Sequence, residues 1–228
     1  MPITRTTVNE YDPRALGRPG GAHAMMPSTP DFIYLASQSP RRSQLLDQLA
    51  IRHTLLLPDA EEDAEALETV MRNEAPKTYV QRVTGLKLEA AQQRLARRKL
   101  PPAPVLCADT TVAMGRTIYG KPEDAEDAKR MLRALSNRPH RVITAIALGW
   151  GQRQAFACSE SWVTFADLSE QDIEVYVASG EPMGKAGAYA VQGRAAAHIA
   201  HISGSYSGIM GLPLFETAHA IRSLGFIF

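Results

Sequence analysis

Residues 32–46 read FIYLASQSPRRSQLL, and this stretch decides how the fold begins. The apolar run at its start predicts a short buried strand, and leucines at helical spacing near its end predict a helix. Between the two, Pro40 suits the first turn of the helix and Ser39 occupies the N-cap position. The stretch therefore predicts a strand–loop–helix unit whose helix begins at two adjacent arginines, Arg41 and Arg42.

The start of this helix is suited to binding an anion. Backbone amides at a helix N-terminus attract negative charge, and the guanidinium groups of Arg41 and Arg42 match phosphate oxygens in shape. The chain has no GxxxxGK[ST] motif, so this loop is not a P-loop. Two interpretations stand at this point: a cradle for a triphosphate, or an ordinary capped helix with solvated arginines.

Strand and helix signals alternate outward from this unit. A long helix is predicted from about residue 78 to residue 98, where a proline-rich turn ends it. Two long strand patterns, 141–150 and 154–165, are close enough in sequence to pair as antiparallel neighbours. Because hairpins occur among the alternating strands and helices, we predict an α/β fold with a mixed β-sheet and flanking helices.

The chain divides into a leader and one domain. Residues 1–30 are rich in proline and glycine and show no apolar period, so we predict a flexible leader there. The folded domain is predicted over residues 31–228. The 45% apolar content of the whole chain is enough to bury a sizeable core.

Composition excludes several classes of protein. The 25 Lys+Arg residues balance 24 Asp+Glu residues, so the net charge of +1 creates no field that would favour nucleic acid or an acidic membrane. The two cysteines lack CxxC spacing, which argues against a disulfide framework or a zinc site and fits a reducing cytosol. No stretch reaches the roughly 18 apolar residues of a membrane helix. We expect a cytoplasmic protein that binds neither nucleic acid nor membrane.

Carboxylates are the candidates for catalysis and metal binding. An apolar strand is predicted to end at Asp109, the position from which α/β proteins present catalytic groups. Asp109 can hold a divalent metal or accept a proton from water, although an Asp there can also simply begin a turn. Glu61 and Glu62, in an acidic run, are open to a similar choice between a site and a solvated surface.

Some residues that could be mistaken for functional ones are predicted to be structural. His198 and His201 fall in a predicted strand at an odd offset, which would place them on opposite faces and argues against a shared metal. Trp150 and Trp162 lie in apolar strand patterns and are expected in the core.

Five motifs then occur in order along the chain. They are LASQSPRR (35–42), ADT (108–110), GKP (120–122), KAGAYAVQG (185–193) and GSY to GLPL (204–214). Together they resemble the Maf family of nucleoside triphosphate pyrophosphatases, also called septum formation inhibitors. The resemblance implies two lobes around a deep cleft, as in inosine triphosphate pyrophosphatases. It also implies hydrolysis of a nucleoside triphosphate to the monophosphate and pyrophosphate with a divalent cation, Mg²⁺ or Mn²⁺.

The resemblance assigns the carboxylates. Asp109 matches the general base that activates the attacking water, and it could serve as base, metal ligand or both. Glu62 matches an acid that helps to hold the metal, with Glu61 as the alternative because the acidic run aligns loosely.

The resemblance also assigns the phosphate-binding residues. Ser37, Arg41 and Arg42 match the phosphate-binding loop, and Lys87 and Lys121 match lysines that line the cleft. These two lysines and Lys185 are three of only six in the chain, and all three fall in segments that match the family.

Base choice is the third implication. The segment 187–193 is similar to the subgroup that acts on dTTP and UTP, and Arg41, Thr110 and Gln192 match the positions linked to base choice. The amide of Gln192 offers a donor and an acceptor, which suits the edge of a uracil or thymine ring. One departure is Gly184, where the family pattern has an Asp before Lys185.

Two further points follow from the resemblance. It suggests a homodimer. It also leaves a rival function, a nucleotide-binding regulator of cell division without significant turnover, although a pure sensor has no need of a water-activating carboxylate such as Asp109.

Overall fold

The computed structural model describes residues 5–7, 30–59, 62 and 66–226. The strands of this described part are β1 (Arg5–Thr7), β2 (Ile33–Leu35), β3 (His53–Leu55), β4 (Val105–Met114), β5 (Thr117–Tyr119), β6 (Pro139–Trp150), β7 (Arg153–Phe165) and β8 (Ile199–Ser203). The helices are α1 (Pro40–Gln48), α2 (Pro76–Arg97), α3 (Ala125–Leu135), α4 (Glu170–Ala178), α5 (Tyr206–Met210) and α6 (Leu214–Ser223). Short 3₁₀ turns cover Ala66–Glu68, Ala186–Ala188 and Arg194–His198.

One mixed sheet joins these strands in the order β1-β7-β6-β4-β2-β3, with β5 added beside β4 and β8 beside β7. The pairs β1/β7, β2/β3 and β2/β4 are parallel. The remaining pairs are antiparallel, including the predicted pairing of the two long strands β6 and β7. The predicted α/β class with a mixed sheet and flanking helices is confirmed, and the arrangement in two lobes stays a prediction.

The unit that opens the fold forms as predicted. Strand β2 is fully buried, and α1 begins at Pro40 with Ser39 as its N-cap and buries Leu45 and Leu46. The Ser39 side chain makes no capping hydrogen bond. Instead, the Ser39 backbone N–H donates to Oγ of Ser37 (3.2 Å), so a serine two residues earlier satisfies an amide at the helix start.

Strand β4 carries the opening in the sheet. Its partner β2 pairs only as far as Leu106, and β5 begins to pair at Val112. Between these points, residues 107–111 have β6 on one side and, within the described part of the chain, no strand on the other. The sheet therefore has an opening beside residues 107–111 of β4, near the start of α1.

The predicted end of the strand at Asp109 is wrong. Strand β4 continues without interruption to Met114, because the β-branched residues that follow Asp109 pair with β6 as far as Ala113. Asp109 therefore lies in the middle of a strand, at the opening left between β2 and β5. The site is presented by a stretch of strand edge that β2 and β5 leave unpaired, and not by a strand end.

The prediction for Trp162 is also wrong. Its side chain is 44% exposed, because strand alternation places Val163 in the core and turns Trp162 to the other face. Trp150 is partly buried as expected and packs edge-on against Phe226, with the ring centroids 5.7 Å apart.

His198 and His201 belong to different elements, a 3₁₀ turn and β8, so the argument from a shared strand does not apply. Among the described residues no group of three or more His, Cys, Asp or Glu side chains could hold a metal ion.

Three residues of the predicted leader take part in the sheet. Arg5–Thr7 pair in parallel with residues 154–156 of β7. The other residues before Pro30 lie outside the described part, so the prediction of a flexible leader stays a prediction for them. No helix among the described residues is long and apolar enough to cross a membrane.

The core contains a histidine that makes stability depend on pH. His140 is completely buried, and its Nε2 lies 2.9 Å from Oη of Tyr189 while Nδ1 lies 3.3 Å from the carbonyl of Arg138. Since a carbonyl can only accept, Nδ1 carries the proton and Nε2 accepts from the tyrosine hydroxyl. Burial lowers the pKa of His140 from 6.5 to about 4, so the folded protein keeps this ring neutral.

We expect the free energy of unfolding to fall as the pH decreases from about 6.5 to 4. In this range the unfolded chain binds a proton at His140 that the folded chain does not. The resulting decrease in the free energy of unfolding reaches about 3 kcal/mol. Denaturant unfolding of the wild type and of His140→Gln at several pH values measures this pH dependence. The variant should lose that part of the pH dependence; identical pH dependence in the two proteins would contradict the assignment.

Candidate active site

A cavity of about 730 Å³ lies over the opening in the sheet. Its walls come from the loop before α1, the middle of β4, one face of α2, the turn Ala66–Glu68 and the glycine-rich segment 184–191. Seven Lys or Arg residues and three Asp or Glu residues line it. The volume suits a small-molecule ligand, and the excess of cationic side chains favours an anion.

Adjacent residues of β4 serve opposite sides of this cavity. Successive side chains of a strand point to opposite faces, so Asp109 faces α2 while Thr110 faces α1 and α5. On the first side Lys87 of α2 contacts Asp109, and on the second side Arg42 of α1 contacts Thr110. The two adjacent residues Asp109 and Thr110 thus connect Lys87 on one face of the sheet with Arg42 on the other.

Asp109 and Lys87 form a buried ion pair. The Lys87 ammonium donates to Oδ1 of Asp109 at 2.5 Å, and Asp109 is only 7% exposed. Burial raises the pKa of Asp109 above its ordinary value, outweighing the opposing charges of Lys87 and Arg42. A carboxylate with a raised pKa is a stronger base than an ordinary aspartate, which is what activation of water requires.

Glu68 extends this ion pair into a chain of alternating charges. Its Oε1 accepts from Lys87 at 2.8 Å, and its Oε2 lies 3.0 Å from Nζ of Lys121. Burial alone would raise the pKa of Glu68, but the two lysines outweigh it and hold this pKa below its ordinary value. We call the series Asp109, Lys87, Glu68 and Lys121 the charge chain.

Glu62 lies elsewhere in the cavity wall. Both of its carboxylate oxygens accept from Arg94, and Oε1 also accepts from Arg97 at 2.5 Å. Hydrogen bonds from Arg94, acting against partial burial, lower the pKa of Glu62 to about 2. Glu62 thus pairs with two arginines of α2, whereas Glu68 and Asp109 both accept from Lys87, so Glu68 is the acid of this run that lies beside Asp109. The alternative, Glu61, lies outside the described residues.

Glu68 was therefore missed as a site residue, although it belongs to the same acidic run. Residues 61–68 contain five acids, four Glu and one Asp, and no spacing rule distinguishes among them. The position of Glu68 is set by its backbone, because the Glu68 carbonyl accepts from the hydroxyl of Tyr79 on α2 at 2.9 Å. That contact joins residues eleven positions apart and only becomes visible in the folded chain.

The helix α2 gives a signal that the sequence does contain. Its inner stripe runs at spacings of three and four through Val80, Thr84, Lys87, Ala91 and Arg94. A lysine and an arginine thus interrupt a face that is otherwise buried. Charged residues in such a stripe need partners, and here Lys87 meets Asp109 while Arg94 meets Glu62.

Arg42 connects the phosphate loop to the rest of the site. Its Nη1 donates to Oγ of Ser37 at 2.9 Å, and its Nε donates to the carbonyl of Gly211 at 2.8 Å. A third, longer contact of 3.5 Å reaches Oγ1 of Thr110. Burial lowers the pKa of Arg42, partly offset by the charge of Asp109. The predicted residues Ser37, Arg42 and Thr110 are thus brought together, with Arg42 as the link.

Arg41 has more freedom to bind a ligand than Arg42. It lines the cavity, and one contact, from Nε to the carbonyl of Met210 at 3.3 Å, holds it in place. Burial lowers its pKa, while Glu181 acts in the opposite direction.

Thr110 is held by a relay of hydroxyl groups. Oγ1 of Thr144, which is fully buried, donates to the carbonyl of Gly208 at 2.7 Å and lies 2.9 Å from Oγ1 of Thr110. Because the proton of Thr144 is used on Gly208, the Thr110 hydroxyl donates to Thr144. Thr110 therefore anchors the strand edge and keeps only acceptor capacity toward the cavity.

The glycine-rich segment supplies the remaining wall. Lys185 lines the cavity, and burial, followed by the charge of Arg41, lowers its pKa. Gly184, which departs from the family pattern, has φ +70°, a conformation that glycine adopts without strain. Gln192 is exposed and is not among the cavity-lining residues, whereas its neighbour Val191 lines the wall.

These features define a class of protein: an α/β protein whose sheet opens at a buried, base-like aspartate beside a cluster of cations that fits a small polyanion. The comparison of sequences then identifies the family. The family described as Maf-like protein matches residues 32–224, and the chain belongs to this family.

Two relatives of high identity are both named dTTP/UTP pyrophosphatase. A dTTP/UTP pyrophosphatase of Albidiferax ferrireducens is 68% identical over 196 residues, covering 86% of this chain and 98% of the relative. A dTTP/UTP pyrophosphatase of a Polaromonas species is 62% identical over 195 residues, covering 86% and 96%. Among solved structures, the Staphylococcus aureus Ham1 protein has a TM-score of 0.38 at 16% identity, over 59% of this chain and 72% of that one.

Proposed function

We propose that this protein hydrolyses dTTP and UTP to the nucleoside monophosphate and pyrophosphate. The observation that carries the proposal is the buried Asp109, with its raised pKa, at the edge of a cavity rich in arginine and lysine. Membership of the Maf family and relatives named dTTP/UTP pyrophosphatase support the substrate class. House-cleaning of modified pyrimidine nucleotides would use the same chemistry.

In the proposed reaction, Asp109 takes a proton from water as the water oxygen attacks the α-phosphorus. The bond from that phosphorus to the bridging oxygen breaks, and pyrophosphate leaves with the electron pair. Lys87 donates a hydrogen bond to Asp109, so its ammonium orients the base and can also stabilise negative charge on a nearby phosphate.

Cationic side chains would hold the triphosphate. Arg41 and Lys121 line the cavity, and Lys121 is 42% exposed, so both can reach a ligand. Arg42 and Ser37 would act mainly by shaping the loop, because their polar groups already bond to each other and to Gly211. Positioning and electrostatic stabilisation supply most of the catalysis in transfers of this kind.

A divalent cation fits the donor set of the site. Mg²⁺ binds through one or two carboxylates together with substrate phosphates and water, and the charge chain offers two carboxylates, Asp109 and Glu68, on either side of one lysine. We propose these two residues, with Glu68 in place of Glu62, as those that would hold Mg²⁺ or Mn²⁺. When bound, the ion would neutralise charge on the phosphates.

A substrate panel tests the function. The protein is incubated with UTP, dTTP, GTP and 7-methyl-GTP in the presence of Mg²⁺ or Mn²⁺, and the products are separated by anion exchange. We expect monophosphate and pyrophosphate from UTP and dTTP. Orthophosphate with a diphosphate product would overturn the reaction, and preference for a purine would overturn the substrate assignment.

Isotope labelling tests the position of attack. With UTP in ¹⁸O-labelled water, attack at the α-phosphorus places the label in UMP, whereas attack at the β-phosphorus places it in pyrophosphate. Binding of UTP without turnover would instead favour the rival function, a nucleotide-binding regulator of cell division. Cytoplasmic location, a homodimer and the absence of nucleic-acid partners stay predictions from the sequence.

A further inference from the structure

The segment Tyr189–Arg194 forms part of the apolar side of the cavity. Tyr189 and Val191 line it, together with Ala186 and Ile209. This apolar lining contrasts with the cations of the phosphate loop and the charge chain, and it is the part that suits the flat face of a nucleobase. The position of this segment therefore decides the shape of the cavity toward the base.

Two side chains outside the cavity lining hold this segment at both ends. The backbone N–H of Ala190 donates to Oη of Tyr176 at 3.3 Å, and the Tyr176 hydroxyl donates to Oε1 of Glu181 at 2.9 Å. The other oxygen, Oε2 of Glu181, accepts from the backbone N–H of Arg194 at 3.0 Å. One carboxylate thus fixes the segment at its end directly and at its beginning through a buried tyrosine.

The backbone at Gly193 shows how closely this carboxylate fits. A Cβ atom at Gly193 would lie 2.2–2.5 Å from the three atoms of the Glu181 carboxyl group. Real contacts of this kind do not occur, so any residue but glycine would force Glu181 away. The Gly193 N–H in turn donates to the carbonyl of Ala190 at 3.0 Å, which closes the segment into a tight turn.

We propose that Glu181 is a positioning residue for nucleobase recognition. Through Tyr176 and the turn at Gly193 it holds the segment Tyr189–Arg194 as a preformed wall, so that binding of the base does not have to order this wall. The inference rests on the proposed function. It concerns the base end of the cavity, because the hydrogen bonds of Glu181 go to Tyr176 and Arg194 and not to Arg41 or the charge chain.

Glu181→Gln and Tyr176→Phe test the proposal, because each keeps the size of the side chain and removes part of the hydrogen-bonding chain. We expect KM for UTP and dTTP to rise about tenfold, the scale of one charge-assisted hydrogen bond, with kcat changed less than about threefold. In Tyr176→Phe, which changes no charge near Arg41, the inhibition constant of inorganic tripolyphosphate, which has the phosphates without a base, should stay the same. Glu174→Gln, an exposed glutamate on α4, is the matched control.

A double-mutant cycle gives a second, independent measurement. Gly193→Ala should raise KM for UTP by displacing Glu181, and it should add little once Glu181→Ala has removed the carboxyl group. Additive effects, or equal weakening of UTP and tripolyphosphate, would overturn the proposal. A wild-type protein that does not hydrolyse UTP would overturn the proposed function and this inference together, so the two failures are distinguishable.

Discussion

Asp109→Asn is expected to lower kcat for UTP by about 10²- to 10⁴-fold, the range that general-base catalysis contributes. Asparagine has nearly the same shape and can still accept from Lys87, but it cannot take a proton from water. Lys87 keeps Glu68 as a charged partner, so its ammonium group is not left as an isolated buried cation. The loss should therefore appear in turnover, with the fold retained.

The pH profile gives a second measurement of the same prediction. Because burial raises the pKa of Asp109, kcat/KM of the wild type should fall as the pH decreases toward that raised value. The variant should lack this decline. The matched control is Asp167→Asn, since Asp167 is exposed and lies outside the cavity lining. Turnover of Asp109→Asn close to that of the wild type would remove Asp109 from the role of base.

Glu68→Gln is expected to lower turnover by about 10²-fold, on the scale of removing one precisely placed electrostatic group. The change leaves Lys87 and Lys121 with one charged partner fewer and takes a carboxylate from the proposed cation site. The Mg²⁺ concentration at half-maximal activity should also rise. Titration of activity with Mg²⁺ at saturating UTP measures both effects.

Glu62→Gln is the natural comparison, because the two acids lie in one run and both line the cavity. Its carboxylate is engaged by Arg94 and Arg97, so its loss should lower the thermal midpoint while the Mg²⁺ dependence stays unchanged. A buried arginine that loses its partner is destabilising. The reverse result, with Glu62→Gln shifting the Mg²⁺ dependence and Glu68→Gln leaving it unchanged, would restore the assignment of Glu62.

Much of the fold could be predicted because local chemistry specifies it. Pro40 at a helix start and leucines at helical spacing predict α1 from a few neighbouring residues. The long strands β6 and β7 pair as predicted because a short turn leaves them little choice but to be antiparallel neighbours. Such signals act over a few residues, and a sequence displays them directly.

The wrong predictions for Trp162 and for the strand end at Asp109 have a common cause. Trp162 has a core-like side chain on a strand, yet strand alternation turns it outward, and only the pairing of β7 decides which face is buried. Asp109 precedes residues that read equally well as a hairpin or as a continuation, and pairing with β6 favours the continuation. In both cases a partner distant in sequence decides between two locally acceptable structures.

By itself, the sequence determined the α/β class and the family, and it indicated several of the residues that line the cavity, since these depend on residue type and on short-range order. Only the tertiary structure decided that Glu68 joins the charge chain, that Arg42 links Ser37 to Gly211, and that Glu181 contacts Tyr176 and Arg194. Each of these depends on contacts between segments that lie apart in the sequence. Lys87 lies nineteen positions from Glu68 and twenty-two from Asp109, and packing of α2 against β4 is what brings the three together.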